Sequence, residues 1–267
     1  MRIAHFSDPH AGGPAEDFLA YLDKRMVGVF NYKYRRRFRH DLSRLERAVD
    51  YILANQVDAV VCTGDLTSSG QPGEFDKIRP YLQRLLEAEI PILYSPGNHD
   101  CYVKRPKCVA AVRQMTEFLA MGNYSLPEMP LSRQVKECDF ILLNTSHPSN
   151  LLCSWGFVTA EDEKKVLEIC ALPKERPRIL VTHYPMFEAH PILRLRHRLF
   201  GQRKIAKLLG NGVIDLALCG HVHKPFARLD ESGRGESCAG SVSSHGVFSI
   251  IDYRLDDDKF RFQQIKV

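Results

Sequence analysis

Apolar strand-like segments alternate with amphipathic helical segments along most of this chain, and this alternation limits the possible folds. The segment at 57–63 (VDAVVCT) is largely apolar, whereas the segment at 41–55 repeats Leu, Val and Ile at helical spacing. Further strands are predicted at 2–7, 91–95, 139–144, 178–182 and 213–219, and further helices at 74–89, 106–121, 160–171 and 193–209. From residue 225 onward, strands alternate with glycine-rich turns. The pattern predicts an α/β fold with a mostly parallel central sheet and a second, antiparallel sheet or edge.

The length of the chain fits one large globular domain or two small ones, and we predict one domain over residues 1–267. Of the 267 residues, 44% are hydrophobic and 26% are charged, which excludes a disordered or collagen-like protein. The eight cysteines are scattered without a CxxC pair, so we interpret them as reduced core residues. No apolar run approaches the ~18–20 residues that span a bilayer, and the polar N-terminus is unlike a signal peptide. We therefore expect a cytoplasmic protein.

Five predicted strands end in short motifs that place Asp, Asn or His beside Gly or Pro. In chain order the motifs are Ser7-Asp8-Pro9-His10, Gly64-Asp65, Pro96-Gly97-Asn98-His99-Asp100, Thr182-His183-Tyr184-Pro185 and Gly220-His221-Val222-His223. Because ligands of such sheets bind outside the carboxyl ends of the strands, we expect these side chains to meet. Carboxylate and imidazole ligands suit divalent ions. The set is sufficient for two ions that share a carboxylate, an arrangement used in phosphoester hydrolysis.

Taken together, the motifs SDPH, GD, GNHD, THYP and GHVH resemble those of the calcineurin-like metallophosphoesterase superfamily. The resemblance covers nearly the whole chain and implies a four-layer α/β/β/α sandwich with a dinuclear metal site. It implies that the first metal is held by Asp8, His10, Asp65 and His223. The ligands implied for the second metal are Asp65, Asn98, His183 and His221, with Asp65 as the bridge. By the same resemblance, His99 is the catalytic histidine beside the leaving group, and Asp100 orients or charges it.

The resemblance also implies a mechanism and a class of metal. A hydroxide that bridges the two ions attacks phosphorus, and Asn98 helps to stabilise the developing negative charge. Protonated His99 donates a hydrogen bond or proton to the leaving oxygen. We expect two divalent ions, with Mn²⁺ favoured, although a mixed oxygen and imidazole ligand set also suits Fe or Zn.

Departures from related motifs narrow the subgroup. The run Gly64–Gly70 lacks the GDxVDRG pattern of the protein Ser/Thr phosphatases, and Ser68 stands where purple acid phosphatases carry a tyrosine ligand. The resemblance then leaves cyclic-nucleotide phosphodiesterases, DNA-repair nucleases and pyrophosphatases of the lipid A pathway that cleave UDP-2,3-diacylglucosamine. The segments at 24–31 and 35–37 resemble an insert of membrane-associated phosphohydrolases that include one type of the last group.

Two short segments carry an excess of positive charge. Residues 24–40 contain seven Lys or Arg and no acid, and residues 194–207 contain six and no acid. We predict a basic amphipathic helical insert at about 15–40, with Met26, Phe30, Tyr34 and Phe38 on one face, and a second basic segment at about 190–207. An anionic substrate or membrane surface would then be contacted by Arg25, Arg35, Arg36, Arg37, Arg39, Arg194, Arg196 and Arg198.

These observations favour a dimetal phosphohydrolase that cleaves a phosphodiester or pyrophosphate bond. The favoured substrate is UDP-2,3-diacylglucosamine or a related lipid-linked phosphoester, with peripheral contact to the inner face of the cytoplasmic membrane. The alternative is a soluble cyclic-nucleotide phosphodiesterase of the 3',5'-cAMP type. A nuclease is less favoured, because the basic residues are interleaved with apolar ones that binding to a phosphate backbone does not need. A non-catalytic scaffold is less favoured, because every expected ligand is present. We expect no stable nucleic-acid partner.

Overall fold

The first of two central sheets brings together the two ends of the chain. The computed structural model describes residues 1–149, 153–187 and 197–267. The five strands of this sheet are β1 (Arg2–Phe6), β2 (Ala59–Cys62), β3 (Ile92–Tyr94), β12 (Val247–Arg254) and β13 (Lys259–Lys266). Their order is β13-β12-β1-β2-β3. The strands β1, β2 and β3 are parallel, whereas β12 runs antiparallel to both β1 and β13. The carboxyl ends of three parallel strands therefore share one edge.

The second sheet also has a parallel centre, with an antiparallel strand at each edge. Its strands are β4 (Leu131–Val135), β5 (Cys138–Leu142), β7 (Arg178–Val181), β9 (Leu216–Cys219), β10 (Phe226–Leu229) and β11 (Gly235–Cys238). They are ordered β10-β11-β9-β7-β5-β4. A short parallel pair, β6 (Gly156–Phe157) with β8 (Leu199–Phe200), lies outside it. The structure thus has two mixed sheets instead of one mostly parallel sheet, and the antiparallel strands predicted after residue 225 lie at edges of both sheets.

In the described residues the α-helices are α1 (Arg25–Tyr34), α2 (Leu42–Ala54), α3 (Pro72–Glu87), α4 (Pro106–Leu119), α5 (Ala160–Ala171), α6 (Arg203–Gly210) and α7 (Val242–His245). Most of them cover the outer faces of the two sheets. Short 3-10 helices occupy Phe18–Tyr21, Arg36–Phe38 and Leu126–Glu128. Residues of α2, α3 and α4 share a core with the first sheet, and residues of α5 and α6 share another with the second sheet.

Side chains that alternate along the strands separate the layers. In β2, Val60 and Cys62 face the helices, whereas Val61 packs into a core between the sheets. In β5, Phe140 faces that same central core and Ile141 faces the outer helices. Three apolar cores therefore separate four layers, which confirms the predicted α/β/β/α sandwich.

The two predicted basic segments are less regular than expected. The insert is not one helix, since α1 ends at Tyr34 and a separate 3-10 turn carries Phe38. In the described part of the helix predicted at 193–209, residues 197–202 are not helical and the helix begins at Arg203. Before it, Gly201 has a φ of +81°, and a Cβ there would lie 2.1 Å from the carbonyl oxygen of Val158. The chain must therefore turn at Gly201. Arg194 and Arg196 lie outside the described residues, as does the side chain of Arg36.

Two hydrogen bonds join the carboxyl edges of the sheets. The Ser95 hydroxyl, after β3, donates to the carbonyl of Leu143 after β5 at 2.8 Å. The Nδ1 of His183, after β7, donates to the carbonyl of Thr63 after β2 at 2.6 Å. The loops that follow these four strands therefore converge on one region. In the described parts of the chain, no helix has the length and hydropathy needed to cross a membrane.

Candidate dinuclear metal centre

Four side chains from three strand ends form the first half of the centre. Asp8 and His10 follow β1, Asp65 follows β2, and His223 follows β9. One ligand atom from each lies within 4.8 Å of the others. The Nε2 of His10 lies 2.9 Å from the Nε2 of His223, 3.5 Å from Asp8 Oδ1 and 3.6 Å from Asp65 Oδ2. This is the set predicted for the first metal.

The second predicted set lies on the other side of Asp65. Its Oδ1 is 3.6 Å from the Nε2 of His183, which is 3.1 Å from Asn98 Oδ1 and 3.2 Å from His221 Nδ1. Asp65 therefore directs one carboxylate oxygen toward each half of the centre. This is the geometry that a bridging ligand requires.

Several of these residues have strained backbones. Positive φ values between 50° and 68° occur at Asp8, His10, Asp65, His221 and His223. Such values cost non-glycine residues ~1–3 kcal/mol each and persist only where the surroundings impose them. Here the first two loops are cross-linked, because the Asp8 amide donates to the Gly64 carbonyl at 3.0 Å and the His10 amide to the Asp65 carbonyl at 2.9 Å. The turns aim side chains into the centre at the expense of local stability.

The donor set fits divalent cations. Asp8 Oδ1 is buried and has no hydrogen-bond partner, although two imidazole nitrogens lie within 3.5 Å of it. The Nδ1 of His10 is 3.2 Å from the Thr67 carbonyl and that of His183 is 2.6 Å from the Thr63 carbonyl, so both rings carry a proton at Nδ1. Each ring then presents an unprotonated Nε2, the form that binds a metal.

The two aspartates have opposite pKa shifts. Burial raises the pKa of Asp65 well above its usual value, and the neighbouring charges of Asp8 and Asp100 raise it further. Burial also acts to raise the pKa of Asp8, but the imidazoles of His223 and His10 beside its carboxylate bring it well below its usual value. Two buried carboxylates this close are costly without cations, and bound cations would favour the ionised form of both.

Burial also keeps the imidazoles of the second half neutral. It lowers the pKa of His183. It lowers the pKa of His221 well below the usual value, to which the nearby His183 and His197 contribute. Neutral rings retain the lone pairs that metal binding needs.

His99 lies beside the first half of the centre. Its ring is edge-on to that of His10, with centroids 5.0 Å apart, and is stacked on the ring of Tyr102. Its Nδ1 donates to the Ser68 carbonyl at 2.7 Å, and its backbone amide donates to Asp65 Oδ1 at 2.7 Å. The backbone of His99 thus holds the carboxylate of Asp65, and its side chain presents an imidazole beside the first half of the centre.

Asp100 has a different role from the expected one. Its carboxylate accepts hydrogen bonds from the amides of Gly97 and Thr67, both at 2.9 Å, and from the Tyr94 hydroxyl at 2.8 Å. The ring of His99 is oriented by the Ser68 carbonyl instead. The expectation that Asp100 orients His99 is therefore corrected, since Asp100 is a buried anchor for the loops that carry Asp65 and His99.

Two histidines that sequence reasoning left unassigned adjoin the centre. The ring of His40 lies 4.8 Å from that of His10, and its Nδ1 is 2.7 Å from the Ser243 hydroxyl. The Nδ1 of His197 lies 3.0 Å from the Nε2 of His221. Neither belongs to a strand-end motif, so motif spacing had no signal for them. His40 directly follows Arg39 and His197 directly follows Arg196, so each basic segment has a histidine that adjoins the centre.

The predicted arginines fall into distinct environments. Arg25 is fully buried and pairs with Asp17 at 3.2 Å and Asp23 at 3.0 Å. Because this ion pair removes it from the surface, the expectation that it contacts substrate or membrane is wrong. Exposed positions are occupied by Arg35, Arg37 and Arg39. Arg198 lies over the ring of Phe200 at 4.7 Å.

Helix α1 packs directly on the loops of the centre. A Cβ at Gly28 would lie 2.7 Å from the Cβ of Ser69, so only glycine allows this approach. The ring of Tyr32 lies against Gly12 in the same way. The basic insert is therefore fixed next to the loop whose Ser68 carbonyl orients His99.

Comparisons with known proteins agree with this geometry. The calcineurin-like phosphoesterase family matches residues 1–225. A 3',5'-cyclic-nucleotide phosphodiesterase from Nostoc sp. is 24% identical over 255 residues, which are 94% of this chain and 83% of the relative. A cAMP/cGMP dual specificity phosphodiesterase from Mycobacterium tuberculosis is 25% identical over 169 residues, which cover 62% of this chain and 48% of that relative. A dimetal phosphatase from Danio rerio has a TM-score of 0.69 at 15% identity, with 100% of this chain and 97% of that chain covered.

Proposed function

This chain belongs to the calcineurin-like phosphoesterase family, and we propose that it hydrolyses a pyrophosphate or phosphodiester bond of an amphiphilic, lipid-linked substrate at a membrane surface. The family consists of hydrolases that bind two divalent metals. UDP-2,3-diacylglucosamine is the substrate that we favour, with a role in lipid A biosynthesis. We further propose Mn²⁺ as the metal and a cytoplasmic location, peripheral to the inner face of the membrane.

The residues of the centre have different roles in the proposed reaction. Two bound ions, held by the two ligand sets that share Asp65, would lower the pKa of a water molecule and neutralise phosphoryl charge. The Asn98 amide contributes a further polar contact to the phosphoryl oxygens. His99 in its protonated form gives a proton to the leaving oxygen from Nε2, because Nδ1 is held by the Ser68 carbonyl.

The observation that carries the proposed substrate is an exposed aromatic and basic surface beside the centre. Seven of the twelve exposed large hydrophobic side chains in the described residues lie between positions 18 and 38. We call this surface the cap; its residues are Phe18, Leu22, Phe30, Tyr34, Phe38, Arg35, Arg37 and Arg39. Phe38 is 72% exposed and Phe18 is 74% exposed. The guanidinium of Arg37 lies 4.5 Å from the Phe38 ring centroid, so apolar and basic groups are interleaved.

The physical chemistry of the cap suits an anionic lipid surface. Exposed apolar patches of this kind mark interaction sites. An apolar face buried at the acyl boundary gains ~25 cal/mol per Å². Each Arg close to an anionic leaflet adds about 1 kcal/mol. A nucleic-acid backbone would bind the basic residues of the cap but does not need its exposed aromatic rings, so we favour a lipid.

The test measures UMP release from UDP-2,3-diacylglucosamine in detergent micelles with Mn²⁺. Bis-p-nitrophenyl phosphate serves as a substrate that needs no lipid contact. We expect rapid release, and we expect the ratio of UMP release to bis-p-nitrophenyl phosphate hydrolysis to fall in the double variant Phe30→Ser, Tyr34→Ser. The matched control is Leu172→Ser with Leu255→Ser, which removes two exposed leucines outside the cap. Cleavage of bis-p-nitrophenyl phosphate without any UMP release would reject this substrate.

A cyclic nucleotide is the second candidate substrate. Two relatives carry that activity in their names, and one of them aligns over 94% of this chain. The cap would then serve protein packing or oligomer contacts. Hydrolysis of 3',5'-cAMP faster than UDP-2,3-diacylglucosamine at equal concentration would favour this candidate.

A further inference from the structure

We propose that a hollow around Lys24, beside His99, binds a phosphoryl group of the leaving product and makes phosphoanhydrides the preferred substrate class. The hollow has a volume of about 410 Å³, and its lining includes Lys24, Tyr102, Arg105 and Ser149. The inference deepens the proposed function, since a UDP-linked lipid has a leaving group of this kind. It assigns a role to a lysine that lies outside every strand-end motif.

Lys24 is a partly buried ammonium group without a carboxylate partner in the described chain. Its Nζ donates to the Ser149 hydroxyl at 2.7 Å and to the Cys153 carbonyl at 3.4 Å, and it lies 4.6 Å from the centroid of the Tyr102 ring. Burial lowers the pKa of Lys24 to about 8, and the negative charge of Asp65 opposes that shift. A buried cation that no acid neutralises is costly unless an anionic ligand joins it.

Arg25, the next residue in the chain, differs from Lys24 because acidic side chains neutralise it. Arg25 is buried deeper than Lys24, but Asp17 and Asp23 both pair with it. Asp23 also accepts from Arg105 Nε at 2.9 Å, so its single negative charge is shared by two guanidinium groups. Although Asp23 contributes to the lining, the hollow therefore keeps a positive excess from Lys24, Lys104 and Arg105.

The hollow lies on the leaving-group side of the centre. Tyr102 links the two places, because its ring stacks on that of His99 with centroids 5.0 Å apart and an interplanar angle of 17°. His99 must lie next to the oxygen that it protonates. A group attached to that oxygen therefore extends toward Tyr102 and the ammonium of Lys24.

In the proposed reaction, negative charge remains on the departing phosphate. The oxygen of water forms a bond to the attacked phosphorus, and the bond from that phosphorus to the bridging oxygen breaks. The bridging oxygen keeps the electron pair, takes a proton from His99 and departs as a phosphate monoester, while solvent receives the proton of the water and reprotonates His99. Lys24 would stabilise the charge on the departing phosphate. A cyclic nucleotide releases a neutral hydroxyl instead, which needs no such cation.

The experiment compares two probes by titration calorimetry with the Mn²⁺-loaded protein. Methylphosphonate carries one anionic group, whereas methylenediphosphonate carries two that are held as in a pyrophosphate. We expect the wild-type protein to bind methylenediphosphonate at least tenfold more tightly. That preference should fall to about twofold or less in Lys24→Met and in Lys24→Gln. Metal content is measured before and after each titration.

Lys33→Met is the matched control, because Lys33 lies on α1, the helix that directly follows Lys24, and is exposed. It should keep the wild-type preference. An unchanged preference in both Lys24 variants, or an equal loss in Lys33→Met, would overturn the proposal. This outcome is distinct from failure of the proposed function, because the titration uses no lipid. A protein that depends on Lys24 for diphosphonate binding but does not cleave UDP-2,3-diacylglucosamine would retain the hollow and lose only that substrate.

Discussion

His99 and Asp100 are neighbours in sequence, and the structure predicts opposite defects when each is changed. His99→Gln removes the proton donor, so it should slow substrates with alkoxide leaving groups by ~10²–10⁴. It should slow bis-p-nitrophenyl phosphate much less, because p-nitrophenolate leaves without a proton. Asp100→Asn replaces one of two buried carboxylate oxygens, which together accept four hydrogen bonds, with an amide nitrogen that cannot accept, and it should lower the free energy of unfolding by ~2–4 kcal/mol. The hydrolysis rates of a substrate with an alkoxide leaving group and of bis-p-nitrophenyl phosphate test the prediction for His99. Urea denaturation tests the prediction for Asp100. Equal leaving-group dependence in the two variants would contradict it.

At the same scale, His5 in β1 predicts part of the pH dependence of stability. It is fully buried, and burial lowers its pKa to about 3, against the opposing charge of Asp8. In the unfolded chain it titrates near 6.5. Because the unfolded state binds more protons below that pH, its contribution to stability is present above pH 6.5 and is lost as the pH falls. We expect His5→Gln to reduce the loss of unfolding free energy between pH 7.5 and 5.0 by about 2 kcal/mol.

The measurement for His5 is urea denaturation of metal-free protein at several pH values. Removing metal keeps the titration of the ligand residues the same in both proteins. The difference in slope between the wild type and His5→Gln should appear below pH 6.5 and should be absent between pH 7 and 8. Parallel curves across the whole range would show that His5 does not carry this effect.

At the scale of elements, the cap predicts salt-sensitive binding to anionic vesicles. Neutralising Arg35 and Arg37 together as Arg35→Gln, Arg37→Gln should weaken binding by about 2 kcal/mol, or ~30-fold, at low ionic strength. The control is Arg254→Gln with Lys259→Gln, because these exposed residues pair across β12 and β13. They lie at the end of the sheet opposite the carboxyl ends of β1 and β2. Flotation with phosphatidylglycerol vesicles measures binding. Equal binding by both double variants would contradict a specific role of the cap.

The elements also show how far local sequence determines structure. The strand-end motifs were predicted correctly because each depends on a short apolar run followed by Gly or Pro. The insert at about 15–40 is predicted as one helix because Met26, Phe30, Tyr34 and Phe38 recur at helical spacing, but the helix ends at Tyr34. The burial of Arg25 depends on Asp17 and Asp23, whose positions no periodicity specifies. Spacing thus predicts elements better than it predicts which side chains they expose.

At the scale of the whole molecule, long-range pairing is what sequence reasoning missed. β1 pairs with β12 across about 250 residues, with Arg2 opposite Asp252. This contact makes the first sheet mixed, and no local pattern records it. The position of His197 against His221 likewise depends on how the second basic segment returns to the centre. The resemblance to a family supplied the four-layer arrangement, whereas periodicity alone predicted only a central sheet with a second, antiparallel sheet or edge.

The centre links metal binding to the stability of the whole molecule. Loops from both sheets meet there, and the buried carboxylates of Asp8 and Asp65 are costly to keep together without cations. We therefore expect chelation to lower the melting temperature of the wild type and to abolish hydrolysis. Asp65→Asn removes one of the two buried charges and leaves a single side-chain oxygen, which cannot serve both halves of the centre as the carboxylate does. It should melt at or above the wild-type temperature without metal, yet gain little from added Mn²⁺. His223→Gln, which affects only the first ligand set, should keep one ion per chain. Thermal melts and metal analysis of the three proteins test this order, and full metal-dependent stabilisation of Asp65→Asn would refute a bridging role.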